Sequence, residues 1–177
     1  MTRTVYYTAT SLDGFIATPD HSLDWLLSRK ADEDGPMGYN AFIADIGAIC
    51  MGASTYQWVL DNGHAEPWPY EVPSWVFTHR TFPPRTDADI RFTQDPVPTV
   101  YKEMAEAAGD KNLWVVGGGD LAGQFADHGL LDEVSVSIAP VTLGAGAPLL
   151  PRALELKLTE LAPNGEFACA RYEVVRG

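Results

Sequence analysis

A run from Leu113 to Phe125 constrains the fold of this 177-residue chain more than any other stretch. It opens with four apolar residues, a pattern typical of a strand buried on both faces of a parallel sheet. Three glycines follow and leave the backbone bare where the chain leaves the strand. Asp120 then stands where the cap of a following helix is expected. Unpaired amides and the positive end of the helix dipole therefore point to one anion site, suited to a pyrophosphate. The alternative is a tight turn that binds nothing, and the spacing does not match the G-x-G-x-x-G fingerprint.

A second unit of strand, glycine and helix occurs earlier in the chain. The apolar residues 48–51 predict a buried strand, Gly52 closes it, and Ser54 or Thr55 can cap the next helix. Two such turns side by side can hold the two ends of a dinucleotide. A further predicted strand, 74–78, runs directly into His79 and Arg80. A cation pair at the carboxyl end of a strand suits a phosphate, and a solvated loop is the alternative.

Composition narrows the class of partner. Twenty-four acidic against twelve basic residues give a net charge of −12, which disfavours nucleic acid and anionic membrane surfaces. An anionic cofactor stays compatible, because short-range amide contacts outweigh a screened overall charge. Cys50 and Cys169 lack metal-ligand spacing, and His21, His64 and His128 complete no cluster, so we expect no metal site. The first residues lack the apolar run of a signal peptide, and we expect a cytoplasmic protein.

Strand and helix patterns alternate along most of the chain. Strands are predicted at 4–10, 48–51, 74–78, 90–92, 113–116 and 133–139, and helices at 24–30, 39–46, 54–60, 99–108 and 120–128. Gly47 is expected to end the second of these helices. Two alternating strands, 154–161 and 167–175, are joined by Pro163-Asn164-Gly165, which predicts a hairpin. No linker divides 1–177, so the pattern predicts one α/β domain with a mostly parallel sheet and an antiparallel edge.

Five motifs, taken together and in order, carry a resemblance to a known superfamily. They are SLDGFIA at 11–17, CMG at 50–52 followed by Thr55-Tyr56, VVGGG at 115–119, GLLDE at 129–133 and PVTLGAG at 140–146. The chain resembles a dihydrofolate reductase-like protein. It is most similar to stand-alone relatives of the reductase domain of the bifunctional riboflavin-biosynthesis deaminase/reductase, and the last two motifs point to that branch. The resemblance spans nearly the whole chain and implies a central sheet of about eight strands with helices on both faces.

The resemblance also implies which residues hold a nicotinamide dinucleotide, with NADPH expected and NADH possible. The pyrophosphate is expected at Gly117, Gly118, Gly119, Asp120 and Leu121. A further phosphate contact is expected at Gly52, Ala53, Ser54 and Thr55, where Ala53 replaces the arginine usual in the family. The ribose 2′-phosphate is expected at Thr78, His79 and Arg80. The nicotinamide ring is expected against Ala9, Ile16, Ala17 and Val116, residues that suit an ordinary core equally well.

Hydride transfer needs mainly positioning and exclusion of water, so a catalytic side chain is needed only for the proton. True dihydrofolate reductases use a carboxylate in the helix before the M-G strand. Here no acid stands in clear register, and Asp34 is the nearest candidate, with a solvated acidic loop as the alternative. Water or Tyr39 is the other expected proton source, and Ser137 is expected to hydrogen-bond the substrate. Asp13 suits a turn role, binding amides ahead of Gly14.

Two classes of function follow. The first is an NADPH-dependent reductase of a small, pterin-like or pyrimidine-like C=N or C=O substrate; its close variant is the 5-amino-6-(5-phosphoribosylamino)uracil reductase activity of riboflavin synthesis. The second is a nucleotide-binding module without turnover. The missing match to an acid argues against folate as substrate. A homodimer is expected, with the apolar loop 140–151 and the aromatic loop near Trp68 as its interface.

Overall fold

The computed structural model describes residues 2–62 and 67–176. Its strands are β1 Thr4–Ser11, β2 Phe15–Ala17, β3 Ile46–Gly52, β4 Ser74–Phe77, β5 Ile90–Thr93, β6 Asn112–Gly117, β7 Glu133–Ala139, β8 Ala147–Pro148, β9 Leu156–Asn164 and β10 Phe167–Val174. Its helices are α1 Asp24–Leu27, α2 Tyr39–Ala44, α3 Ala53–Asp61, α4 Val97–Ala108 and α5 Gly119–Asp127. His64 lies outside the described residues. No helix within the described ranges combines the length and apolar character needed to cross a bilayer.

One sheet of eight strands, in the order β5-β4-β3-β6-β1-β7-β10-β9, forms the centre of the protein. The first six strands are parallel to one another. The last two form an antiparallel hairpin against β7. Strands β2 and β8 pair separately as a small antiparallel sheet. The predicted fold class, a mostly parallel sheet with a C-terminal hairpin, is therefore confirmed.

Helices cover both faces of the sheet. Successive residues of a strand point to opposite faces, so each strand sends side chains into both helical layers. On one face, Tyr6 and Val115 are fully buried under α4 and α5. On the other face, Trp114 and Ile49 pack under α2 and α3. This alternation explains why residues 113–116 of β6 are apolar without interruption, since each face of the strand meets a helical layer.

The adjacent strands β3 and β6 send their following helices to opposite faces of the sheet. Helix α3 follows β3 and packs on the Trp114 side, whereas α5 follows β6 and packs on the Val115 side. Such a switch point opens a crevice outside the carboxyl ends of parallel strands, where ligands bind in open α/β sheets. The two glycine turns predicted to bind a dinucleotide border this crevice.

Several local predictions were wrong. Gly47 does not end a helix: α2 stops at Ala44, and Gly47 lies inside β3, where a Cβ would stand 2.8 Å from the backbone of Ala108. The glycine is needed there for close packing of α4 on the sheet. Helix α1 stops at Leu27, before the expected end at Lys30. The hairpin turn is Gly165-Glu166, because Asn164 still pairs with Phe167.

The Trp68 side chain, in the loop expected at the interface, is only 7 % exposed and packs against Tyr56, with ring centroids 5.7 Å apart, so this side chain belongs to the core. The homodimer itself stays a prediction. The exposed large apolar side chains include Leu158 and Leu161 on β9, the edge strand of the sheet.

Candidate active site

The crevice between β3 and β6 is lined by backbone from both glycine turns. A Cβ built on Gly52 would have the carbonyl oxygen of Gly117 as its nearest neighbour, at 3.9 Å. A Cβ on Gly117 would lie 3.6 Å from Thr55 Oγ1, and one on Gly118 would lie 3.7 Å from Ile16 Cδ1. The two turns therefore face each other, as predicted, and space remains above the bare backbone.

The three consecutive glycines serve different purposes. Gly117 has φ +154°, a backbone conformation that residues with a Cβ rarely adopt. Gly119 is buried, and a Cβ there would stand 2.4 Å from the carbonyl oxygens of Pro148 and Leu149. Gly119 thus permits β8 to pack against the start of α5, whereas Gly118 keeps the crevice open. The peptide bond between Gly117 and Gly118 is cis.

Two helices begin at this crevice. Gly52 is the N-cap of α3 and Gly118 is the N-cap of α5, and neither helix has a side-chain cap within the described residues. The caps predicted at Ser54 or Thr55 and at Asp120 were therefore wrong, since these residues lie within the first helical turns. The first amides of each helix have no partner inside the helix. Together with the two dipoles they form a site that favours an anion.

The negative charge of the Asp120 carboxylate would repel an anion at the start of α5. Two neighbouring side chains bind this carboxylate. Asp120 Oδ2 accepts a hydrogen bond from Gln124 at 2.9 Å, and Oδ1 lies 3.3 Å from the Arg152 guanidinium. Leu121 directs its side chain into the core and is 6 % exposed. At both positions the group suited to a phosphate is consequently the backbone amide.

A cavity of about 450 Å³ lies on the α3 side and is lined by Ser54 and Arg80. Thr78 is buried, and its Oγ1 accepts a hydrogen bond from the amide of Arg80 at 2.8 Å. This bond fixes the backbone just after β4 while His79 and Arg80 remain exposed. The remaining wall includes three carboxylates, those of Asp20, Asp24 and Asp61. Arg80 is thus the cation that offsets a locally acidic wall.

Of the residues expected at the nicotinamide, Ala9 and Val116 lie towards the carboxyl ends of the central strands β1 and β6, and Ile16 and Ala17 lie on β2. Ala9 on β1 pairs with Ser137 on β7, and both are half-buried. Ile16 reaches the Gly118 backbone, and Ala17 on β2 pairs with Ala147. Val116 is half-buried on the same sheet face as Trp114. Their small or apolar side chains leave this end of the crevice able to accept a flat ring.

Each of the expected catalytic residues has a different neighbour. Asp34 is exposed, and its Oδ1 accepts a hydrogen bond from Asn40 at 2.9 Å. The Tyr39 ring lies 6.0 Å from that of Trp114, and burial followed by the nearby Glu33 carboxylate raises the Tyr39 pKa. Ser137 Oγ lies 3.4 Å from Cys169 Sγ. These three roles remain predictions.

Tyr7 is a polar group in this region that the sequence did not single out. It faces α2, its ring stacks on Phe42 with centroids 4.0 Å apart, and its hydroxyl donates to the Met37 carbonyl at 3.1 Å. Burial, and then the neighbouring Cys169, raises the pKa of Tyr7 to about 12. Tyr7 therefore stays protonated at neutral pH and holds the backbone just before α2.

Asp13 connects two loops and so does more than the predicted local turn role. Its Oδ1 accepts from Ser11 Oγ at 2.6 Å and from the Leu143 amide at 3.0 Å, and its Oδ2 accepts from the Gly144 amide at 2.8 Å. The hydrogen bond from Ser11, followed by that from Leu143, lowers the Asp13 pKa to about 2. Asp13 consequently ties the turn before β2 to the loop that leads into β8.

The sheet order and the crevice define an α/β protein with the dihydrofolate reductase-like fold. More particularly, the chain belongs to the RibD C-terminal domain family, whose model matches residues 4–166. The predicted superfamily resemblance is therefore confirmed. Membership of this family supports reductase-type activity.

Two further comparisons find proteins that are similar over most of this chain. The uncharacterized protein YwjB of Bacillus subtilis (strain 168) is 32 % identical over 147 residues, which are 83 % of this chain and 82 % of YwjB. The crystal structure of a putative riboflavin biosynthesis protein from Shewanella sp. PV-4 is 26 % identical, with a TM-score of 0.83, and the match covers 98 % of this chain and 99 % of that one.

A larger protein shares the fold. The diaminohydroxyphosphoribosylaminopyrimidine deaminase/5-amino-6-(5-phosphoribosylamino)uracil reductase of Thermotoga maritima matches with a TM-score of 0.68 at 14 % identity. The match covers 98 % of this chain and 57 % of the Thermotoga protein.

Proposed function

We propose that this chain is a reductase that uses a nicotinamide dinucleotide, with NADPH preferred, to reduce a C=N or C=O bond of a small substrate. The observation that carries the proposal is the crevice between Gly52 and Gly117, where the backbones of two glycine turns face each other at the starts of two uncapped helices. A diphosphate fits that donor set, because it can accept hydrogen bonds from several amides and gains from both helix dipoles.

Different parts of the crevice would bind different parts of the cofactor. The amides of 117–121 and of 52–55 would hold the phosphates, and Arg80 would meet a 2′-phosphate at the α3 end. Ala9, Ile16 and Val116 would bring the ring against the sheet, where exclusion of water favours transfer. The bound cofactor supplies the hydride, and the chain's own contribution is alignment of donor and acceptor.

Protonation of the reduced product is left to a hydroxyl or to water. Burial raises the pKa of Tyr39, which makes its hydroxyl a weaker acid, so Tyr39 would hydrogen-bond the acceptor atom while water delivers the proton. Asp34 is exposed and already bonded to Asn40, so it is the weaker candidate for the donor.

An unphosphorylated substrate is favoured over the phosphoribosyl compound of riboflavin synthesis. Arg29 is paired with Glu166 at 2.9 Å, and Arg171 contacts both Glu133, at 2.9 Å, and Glu160, at 3.4 Å. The Arg29 guanidinium, in the segment beside the expected acceptor site, is neutralised by a carboxylate, and Arg171 is held to Glu133 at the amino end of β7, so both are poorly placed to receive a substrate phosphate.

Titration of the purified chain with NADPH, followed by assay of NADPH oxidation against a panel of small C=N and C=O acceptors, tests the proposal. The panel includes 5-amino-6-(5-phosphoribosylamino)uracil and its dephosphorylated form. We expect saturable NADPH binding and turnover of an unphosphorylated acceptor. Binding without turnover across the panel would support a nucleotide-binding module, and absence of binding would contradict both readings.

A further inference from the structure

The tip of the β9–β10 hairpin grips the segment that precedes α2. Asn164, at the end of β9, is 6 % exposed and uses its side-chain amide as a backbone mimic. Its Oδ1 accepts from the Asp32 amide at 2.9 Å, while its Nδ2 donates to the carbonyls of Asp32 at 2.9 Å and Pro36 at 3.1 Å. One side chain thereby fixes two points of the segment 32–36.

The next two residues of the hairpin reinforce this attachment. A Cβ on Gly165 would stand 2.4 Å from the Lys30 carbonyl oxygen, so the turn lies directly against the backbone of the segment. Glu166 Oε1 lies 2.9 Å from Arg29 Nη1, and Arg29 Nε donates to the Trp25 carbonyl at 2.9 Å. The hairpin tip therefore holds the whole stretch from 25 to 36.

Together with residues 37 and 38, this stretch forms a roof, residues 25–38, over the end of the sheet where the substrate is expected. Trp25, Leu26 and Met37 pack on a small cluster formed by Ala139, Phe167 and Cys169. Cys169 lies beside Ser137, which pairs with Ala9 on β1. Tyr7 also binds the roof, through the Met37 carbonyl, one residue before the N-cap of α2.

We propose that Asn164 is a positioning residue for the acceptor site: it sets the height of the 25–38 roof above Ser137 and thereby the shape of the pocket that the substrate enters. The proposal rests on the proposed reductase function. Asn164 acts through the backbone of Asp32 and Pro36, so its substitution should weaken binding of the acceptor substrate. The phosphate-binding turns after β3 and β6 should keep their geometry.

Two substitutions test this role. Asn164→Ala removes all three hydrogen bonds, and the nearly isosteric Asn164→Asp keeps an acceptor for the Asp32 amide while placing a carboxylate against two carbonyl oxygens. Asn112→Ala is the matched control, because Asn112 Oδ1 also binds a backbone amide, that of Arg3, at 3.1 Å, but at the amino end of β6.

Hydrogen exchange, NADPH titration and steady-state kinetics are measured on each full-length variant. For both Asn164 variants we expect amide exchange in 32–40 to accelerate about tenfold or more. We also expect KM for the acceptor to rise at least about fivefold, with the NADPH Kd unchanged within about twofold. Asn112→Ala should leave all three quantities in the site unaltered.

The outcomes are distinct. Unchanged exchange in 32–40 would overturn the anchoring role, and a parallel rise of the NADPH Kd and the acceptor KM would replace it with a merely structural role. If Asn164→Ala fails to fold, Asn164→Asp decides by the same readouts. A wild-type chain that binds no NADPH would instead overturn the proposed function. The hydrogen-exchange data alone would then show whether Asn164 anchors the segment 32–36.

Discussion

Replacing Gly118 and Gly119 by alanine, one at a time, separates ligand binding from folding at adjacent positions. A methyl group at Gly118 would enter the crevice, where its nearest neighbour is Ile16 Cδ1 at 3.7 Å, an ordinary contact distance. A methyl group at Gly119 would collide with the carbonyl oxygens of Pro148 and Leu149 at 2.4 Å. Gly118→Ala is therefore expected to hinder ligand binding, whereas Gly119→Ala is expected to destabilise the fold.

The magnitudes follow from these contacts. Gly118 has φ −86°, which alanine adopts freely, so we expect Gly118→Ala to change the free energy of unfolding by less than about 1 kcal/mol. Losing one charge-assisted hydrogen bond to a phosphate costs about 1.5–3 kcal/mol, which is about a 10- to 150-fold rise in the NADPH Kd. Gly119→Ala overpacks a closed site and should cost about 1–3 kcal/mol, a fall in Tm of about 2–12 °C.

Thermal melting without ligand, and NADPH titration by fluorescence, measure the two quantities on the same samples. Gly123→Ala is unsuitable as a control, because a Cβ there would lie 2.7 Å from the Arg152 side chain. Gly129→Ala has open space around its Cβ, but Gly129 has φ +67°, so this variant measures the cost of backbone strain alone. A Gly118→Ala variant that binds NADPH as tightly as the wild type would refute the placement of the diphosphate over Gly118.

Three further predictions concern other parts of the chain. Because the folded pKa of Asp13 is lowered to about 2, below the ordinary value of about 3.9, its carboxylate stabilises the fold above that value and loses this effect as the pH falls towards 2. The Tm difference between wild type and Asp13→Asn should accordingly be constant above about pH 5 and narrow between about pH 4 and pH 2; a difference independent of pH would exclude the Asp13 bridge to Leu143 and Gly144 as its source. Arg80→Ala should raise the Kd for NADPH about two- to tenfold, a modest effect because Arg80 is exposed, and should leave the Kd for NADH unchanged; equal loss for both cofactors would contradict a 2′-phosphate contact. Sedimentation should give twice the mass of one chain, and Leu161→Glu, on the exposed edge strand β9, should give the single chain; a wild-type monomer would refute the dimer.

The positions of the major strands along the chain and of the glycine turns could be predicted from the sequence alone, because these features are local. Residues 113–119 combine an apolar run with a glycine turn, and each of the two patterns has a direct structural consequence. The C-terminal hairpin was likewise predictable from two alternating strands around Asn164-Gly165, although the turn lies one residue later than expected.

Contacts between residues that are far apart in the sequence could not be predicted from local patterns. The side chain of Asn164 reads as a turn residue, yet it binds Asp32 and Pro36, more than 120 residues earlier. Asp13 reads as a turn residue in the same way, yet it holds Leu143 and Gly144. A single sequence contains no signal that pairs such positions.

Glycines illustrate the same limit. The sequence predicts that Gly47 ends a helix, because glycine commonly has that role, whereas the structure places Gly47 where α4 approaches the sheet closely. Gly118 and Gly119 are identical neighbours in the sequence, and only the three-dimensional packing assigns one to the crevice and the other to the contact with β8.

The decisive experiment for the crevice is a titration of glycine-labelled protein with NADPH, monitored by the backbone amide resonances. We expect the amides of Gly52, Gly117, Gly118 and Gly119 to shift with a common saturation curve, while those of Gly109 and Gly129, at the far ends of α4 and α5, stay unchanged. Saturable binding that leaves the four crevice glycines unmoved, or no binding at all, would contradict this expectation.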